Sequence, residues 1–520
     1  MQKSRNTLHK YKGKIKMGKL TINNGENFFV EFNGEKNLLE VIRDNDFAIE
    51  ATCGGNGTCG KCMVIINGVS VKSCKTKAQE GMIVILPKKK SVENILTQTG
   101  KLKIEIKQIF SEFKEGFGLA VDIGTTTIAA YLYDLMTGER IGIASAINPQ
   151  KAFGADVISR IDFTMKGKSE RDRMQTEIVT CIQDIVEKFA QQISVILFTG
   201  NTTMMHFLLN LDASGIAVAP FTPESIDMHI LDASEIGLKM PDSKMVVLPS
   251  VSAYVGADTI SAIISTGIYK SEAPQLLVDI GTNGEIALKS GAAVWACSTA
   301  AGPAFEGANI THGMPAVDGA ISKVTIEDGE MKFKVIGDSE PVGLCGSGVL
   351  DMIAVLLEHE VIDFSGRLVD DDEISEAWLA ERIVEHNNAN AFKVFGDILI
   401  TQKDVREIQN AKAAICAGIM ILVERAGISL SDICDTFLAG GFGNFMDKFS
   451  AIKIGLIPKE LEDSIVTAGN AAGQGASMAL LNKDYFDLST ELSKTIKYIE
   501  LSFDPGFSDC YMENMMFGDE

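Results

Sequence analysis

Leu119-Ala120-Val121-Asp122-Ile123-Gly124-Thr125-Thr126-Thr127-Ile128-Ala129-Ala130 returns, 157 residues further on, as Leu276-Leu277-Val278-Asp279-Ile280-Gly281-Thr282-Asn283-Gly284-Glu285-Ile286-Ala287. Each copy reads as an apolar strand, an Asp, a tight turn built on glycine, and a second strand. Asp-Ile-Gly-Thr alone is a weak motif, because many strand-to-strand turns could carry it. Two copies in one register, about a domain length apart, imply two similar lobes facing each other across a cleft. Strand-like runs at 193–198, 245–248, 436–439 and 465–467 alternate with helix-like runs at 173–191, 202–211, 257–266, 348–357, 403–426 and 471–481. This predicts an α/β protein with mostly covered sheets.

Working outward, residues 117–272 and 273–520 form the two lobes. Residues 18–90 read as a separate, β-rich module. Strand-like runs at 19–22 and 28–32 flank Asn23-Asn24-Gly25-Glu26-Asn27, a hairpin signal. Residues 37–44 form a short amphipathic helix with Asn37 as its N-cap. Further strands at 63–66 and 82–86 complete two hairpins and one helix, a ubiquitin-like (β-grasp) arrangement. Residues 1–17 read as a basic tail and 91–116 as a linker.

The chain of 520 residues has 46% hydrophobic and 22% charged residues, enough core for several domains and too much for a disordered chain. Its net charge of −21 argues against non-specific binding to nucleic acid or anionic membrane. The charge is uneven: residues 1–117 carry about +8 and the remainder about −29. No stretch nears the roughly 20 apolar residues of a membrane helix, and no apolar run follows the basic start as in a secretory signal. The expected location is the cytoplasm.

Four of the ten cysteines, Cys53, Cys59, Cys62 and Cys74, fall within 22 residues; the other six are scattered. One cluster in a large chain points to a metal site in a reducing compartment. The spacing C-x5-C-x2-C-x11-C and the glycines Gly54, Gly55, Gly57 and Gly60 suit a loop wrapped around a [2Fe–2S] cluster, with backbone N–H groups aimed at its sulfurs. Zinc is the competing metal, but zinc sites usually offer their ligands as two separated pairs. Packing cysteines without metal are the third reading.

The two Asp-Ile-Gly-Thr turns suit phosphate. Gly124 and Gly281 let the backbone approach it. Thr125, Thr126, Thr127, Thr282 and the turn amides, including that of Asn283, can donate to its oxygens. Asp122 and Asp279 can hold Mg²⁺ through water or orient an attacking water. Gly440 and Gly441 end a strand-like run and would let an adenosine lie against the backbone. A packed core without nucleotide is the alternative. The stretches 199–206, 302–307 and 345–348 start helices or turns and either line the cleft or merely pack. Asp258 and Glu306 are candidates only by position. His206, His312 and Cys345 read as packing residues.

The N-terminal module resembles the β-grasp [2Fe–2S] ferredoxins, although its third cysteine gap of eleven is short. The remainder resembles the actin, sugar-kinase and chaperone ATPases (ASKHA, ribonuclease H-like). That resemblance implies phosphate motifs at 122–127 and 279–285 and an adenosine motif at Gly440 and Gly441. The whole order is similar to the ATP-dependent reductive activators of corrinoid proteins. It implies ATP and Mg²⁺ as cofactors beside the cluster, and catalytic roles for Asp122 and Asp279. The implied partners are a cobalamin-binding methyl-transfer protein, reduced from Co(II) to Co(I), and an upstream low-potential electron donor. Members are often dimers, so a homodimer is expected.

Two other classes compete. An activator of a radical or dehydratase enzyme would carry its cluster inside the ATPase. A small-molecule kinase would need a catalytic Asp in a substrate loop. If the cysteine reading holds, the purified protein is red-brown with about two irons and two sulfides per chain. A colourless protein with one zinc would overturn it.

Overall fold

The computed structural model describes residues 17–24, 27–45, 47, 49, 62–86, 104–113, 115–443 and 446–517. They divide into two compact units, one built on the N-terminal module and one on the remainder.

In the first unit the described strands are β1 (Met17–Asn23), β2 (Asn27–Asn33), β3 (Met63–Ile66), β4 (Val69–Lys72) and β5 (Ile83–Ile85). They form one sheet in the order β2-β1-β5-β3-β4, with β1 and β5 parallel. The helix Leu38–Asp44 buries Leu38, Leu39, Val41 and Ile42 in a core with Leu20, Ile22, Val64 and Val84. Asn37 caps it: its side chain accepts from Glu40 N, and Glu40 accepts from Asn37 N, a reciprocal box. This is the expected β-grasp arrangement with one strand more than the sequence reading found. Strand β4 follows Asn67-Gly68, both at positive φ, the two-residue turn favoured in hairpins.

The second unit is organised by two large sheets. The first contains β6 (Phe117–Ile123), β7 (Thr127–Asp134), β8 (Arg140–Ile147), β9 (Ile193–Gly200), β10 (His229–Asp232) and β11 (Lys244–Val247), in the order β10-β11-β9-β6-β7-β8. The second begins with β12 (Gln275–Ile280), β13 (Gly284–Ser290) and β14 (Ala293–Thr299). Two small sheets interrupt it: β15 (Ala320–Glu327), β16 (Glu330–Val335) and β17 (Gly343–Leu344), then β18 (Ile383–His386), β19 (Ala389–Phe395) and β20 (Ile398–Thr401). It resumes with β21 (Asp435–Ala439), β22 (Ile465–Gly469) and β23 (Lys497–Tyr498), giving the order β22-β21-β12-β13-β14-β23. The series β11-β9-β6-β7-β8 and β22-β21-β12-β13-β14 have the same connectivity. The sequence repeat is therefore a repeat of the fold, and each Asp-Ile-Gly turn joins the first two strands of its sheet.

The lobes exchange helices. Ala257–Thr266 follows the first sheet but packs Ile260, Ile263 and Ile264 with Leu277, Ala287 and Ala296 of the second. Ala471–Leu481 follows the second sheet but packs Ala476, Ala479, Leu480 and Leu481 with Ala120, Tyr131 and Leu197 of the first. The two helices cross where a Cβ on Gly475 would stand 1.8 Å from the Ser261 carbonyl oxygen. Only glycine fits there. The segment 91–116, which reads as a linker, is docked in its described part. Ile104, Ile106, Ile109, Phe110 and Phe113 pack on the first lobe's core, and Lys107 and Leu481 share a backbone hydrogen bond of 3.0 Å. Its alternating apolar residues are the reason.

Among the described residues, no helix is long and apolar enough to cross a membrane. Replacing Gly475 by Ala is expected to destabilise the second unit by about 1–3 kcal/mol, because the new methyl meets backbone rather than a side chain that can yield. Urea unfolding read by tryptophan fluorescence checks this, with the visible absorbance of the first unit as the internal control.

Candidate nucleotide cleft and cysteine site

The two turns are tight by their own hydrogen bonds: Gly124 N donates to Thr127 O at 3.0 Å, and Gly281 N to Asn283 O at 2.9 Å. Residues distant in sequence hold the first turn from behind. Asn148 Nδ2 donates to Gly124 O at 2.9 Å, Arg160 Nη2 to Thr125 O at 2.6 Å, and Asn201 Nδ2 to Thr125 Oγ1 at 3.0 Å. Thr125 is thus buried and tied into the scaffold. Arg160 is fully buried on the helix Val157–Thr164; desolvation pulls its pKa down to about 10, partly offset by the charges of Glu306 and Asp156.

Four acids gather here: Asp122, Asp279 and Glu285 from strand ends, and Asp258 from the first turn of the helix Ala257–Thr266. Each keeps some solvent access, yet protein surrounds it closely enough that burial is the first cause of its shift. Asp122 is pushed up to about 7, by burial and by the charge of Asp258, against a hydrogen bond from Asn470. Asp279 is pushed up to about 8, by burial and the charges of Asp258 and Asp122. Asp258 rises to about 6 and Glu285 well above the carboxylate range. Asp122 and Asp279, assigned together from sequence, therefore do act on one another. Asn470 Nδ2 grips Asp122 at 2.9 Å while its Oδ1 caps the crossing helix through Gly473 N at 2.7 Å.

A further carboxylate spans the cleft. Glu306 accepts from Thr126 Oγ1 of the first turn and, at 3.1 Å, from Thr282 Oγ1 of the second. Gly440, expected from sequence to face adenosine, lies beside Asp279. Gly440 has φ +91°, and a Cβ there would stand 2.6 Å from Asp279 Oδ1. Gly440–Gly443 forms one helical turn after β21 rather than an open loop. Asn444 and the Phe442 side chain lie outside the described residues.

Sequence reasoning placed Asp258 and Glu306 in the cleft only by position, and it missed Asn148, Arg160 and Asn470. Two signals were available: an arginine on an apolar helix face with Val157 and Ile161, and an Asn between a strand and a helix. Cys345 and His206 are packing groups. Cys345 Sγ faces Ile321 O at 3.4 Å, and His206 Nδ1 meets Thr202 O at 2.7 Å while Nε2 accepts from Glu224 N at 3.1 Å.

Among the described residues, no group of three or more His, Cys, Asp or Glu could hold a metal ion. In the first unit Cys62 directly precedes β3, and Cys74 lies in the turn after β4. Both are buried, with sulfurs 3.2 Å apart. Two thiolates on one tetrahedral metal at about 2.3 Å each stand roughly 3.8 Å apart, so the pair fits a shared metal with a small outward shift. Cys53 and Cys59 lie outside the described residues.

Fold and site together define a class: an iron–sulfur ferredoxin module joined to a two-lobed ASKHA nucleotide-binding unit. Residues 21–84 match the 2Fe-2S iron-sulfur cluster binding domain, 117–271 the RACo middle region, and 273–520 the C-terminal domain of RACo, the ASKHA domain. The corrinoid activation enzyme RamQ of Eubacterium limosum is 37% identical over 78% of this chain and 70% of its own length. A [Co(II) methylated amine-specific corrinoid protein] reductase of Methanosarcina barkeri is 27% identical over 76% of each. A solved reductive activator for a corrinoid, iron-sulfur protein superposes with a TM-score of 0.71 at 27% identity, over 96% of this chain and 98% of that one. The chain belongs to the RACo family of reductive activators.

The raised carboxyls make stability depend on pH. Between about pH 4 and 8 the folded state holds protons that the unfolded chain has released, so without nucleotide stability is greatest at the acid end and is lost as pH rises. Thermal midpoints at about pH 5.5 and about pH 8 should show this fall, and Asp279→Asn should flatten it.

Proposed function

We propose that this chain uses ATP to return an electron to a corrinoid protein, taking Co(II) to Co(I). One observation carries the reading: an iron–sulfur module and a two-lobed nucleotide cleft share one chain, and relatives with the same parts are named for corrinoid activation or Co(II) corrinoid reduction. Plain electron carriers need no nucleotide. Moving one electron against 100 mV costs about 2.3 kcal/mol. ATP offsets that only through states that differ in their hold on the partner or in its potential. The partner is a cobalamin-binding methyl-transfer protein, an upstream low-potential donor refills the module, and a homodimer is the expected assembly.

The residues divide the work. Cys53, Cys59, Cys62 and Cys74 hold the [2Fe–2S] cluster, which supplies one-electron storage. Thr127 and the backbone amides around Gly124, Thr126, Gly281, Thr282 and Asn283 receive the phosphates, while the Thr126 and Thr282 hydroxyls stay with Glu306. Gly440 and Gly441 bring bare backbone to the adenosine. Asp122 and Asp279 hold Mg²⁺ through water; facing a cation, they ionise despite their burial. Thr125 supports the first turn from within.

A Co(II) corrinoid protein mixed with this protein, a reductant and ATP should develop the Co(I) absorption band, and only with ATP present. Appearance of the band without ATP, or its absence with ATP, would overturn the reading. Cys62→Ser should abolish reduction while leaving ATP binding intact, and Asp122→Ala should impair hydrolysis without bleaching the visible absorbance. Loss of ATP binding in Cys62→Ser would refute the modular division.

A further inference from the structure

Glu306 occupies a singular place. It ends the short helical turn Pro303–Glu306, flanked by Gly302 and Gly307 in the left-handed region at φ 75° and 74°. Its two carboxylate oxygens are bound to different phosphate turns, Oε2 to Thr126 and Oε1 to Thr282. These threonines lie 180 and 24 residues away, one from each lobe. The carboxylate also faces the bare side of the second turn, since a Cβ on Gly281 would stand 4.0 Å from Oε1. It is thus held where the two turns converge, the place a terminal phosphate reaches when both turns grip a triphosphate. Asp122, Asp258, Asp279 and Glu285 form a different group, held close by the fold despite mutual repulsion and suited to a cation.

We infer that Glu306 is a catalytic residue of ATP hydrolysis, the carboxylate that orients and deprotonates the attacking water. The inference rests on the ATPase reading above. A carboxylate oxygen has two acceptor sites, so each oxygen of Glu306 keeps one after its threonine is satisfied. The two threonine bonds fix the carboxylate's plane, and the remaining acceptor sites hold the water in line with the terminal phosphorus. The water oxygen forms a bond to that phosphorus, and the bond from phosphorus to the β–γ bridging oxygen breaks. The water's proton passes to Glu306 and then to solvent, and ADP leaves with the bonding electron pair. No oxidant or further reactant is required. The cluster's electron takes no part.

The test separates binding from chemistry. Glu306→Gln keeps size and one acceptor oxygen, so it should still bind ATP and retain its visible absorbance. Phosphate release should fall about 10²-fold or more, and the nucleotide recovered from the protein after incubation should be ATP rather than ADP. Glu306→Asp, which withdraws the carboxylate, should also bind ATP and fall in rate. Wild-type phosphate release by Glu306→Gln would overturn the assignment. So would parallel loss of ATP binding in both variants, which would make Glu306 only a clamp between the turns. Absence of phosphate release from the unaltered protein would instead overturn the ATPase reading and this assignment with it.

Discussion

The crossing of two helices at Gly475 and Ser261 is the constraint on which the second unit depends. Each helix follows one large sheet and packs on the other, so the clusters that flank the crossing draw on both lobes. A close backbone approach there needs small residues, and the helix Ala471–Leu481 supplies Ala471, Ala472, Gly473, Gly475, Ala476 and Ser477, interrupted only by Gln474. The same helix carries Asn470 at its start, so packing between the lobes and the hold on Asp122 belong to one element. A shift of one lobe against the other has to pass through this contact.

The electrostatics follow from that geometry. Strand ends of both sheets and the start of the helix Ala257–Thr266 bring four carboxyls together, and among the described residues no cation figures in the causes of their shifts. Protein alone therefore leaves the cleft under-compensated, and a divalent ion carrying phosphates is its natural complement. Glu306 stands apart because hydroxyl donors, rather than other acids, are its neighbours. Two kinds of carboxylate in one cleft allow two kinds of work.

Much of this was legible in the sequence because it is local. The Asp-Ile-Gly turns need only their own glycines and flanking apolar strands, and the helices 257–266 and 471–481 were read with the bounds the structure shows. The β-grasp core and its Asn37 cap were equally plain. What escaped was built from distant parts. Asn470 meets Asp122 across 348 residues, and Arg160 meets Thr125 across 35. No motif records such pairs. The small sheets between Ala320 and Thr401 were also missed, since short, half-exposed strands such as Glu330–Val335 alternate too briefly to stand out. Strand β4 was a different omission: its Asn67-Gly68 turn was in view. The cysteine reading rests on all four positions, of which Cys62 and Cys74 are described and found together.

Arg160 has a consequence of its own. It is a guanidinium with no access to solvent, and its Nη2 donates to the backbone of the first turn. Mobile ions cannot reach it, so its field on the turn is scarcely screened, unlike that of surface charges. The rest of the chain, with its net charge of −21, carries most of its charge where salt does reach it, so the first turn keeps a steady local field while the exterior's field changes with ionic strength.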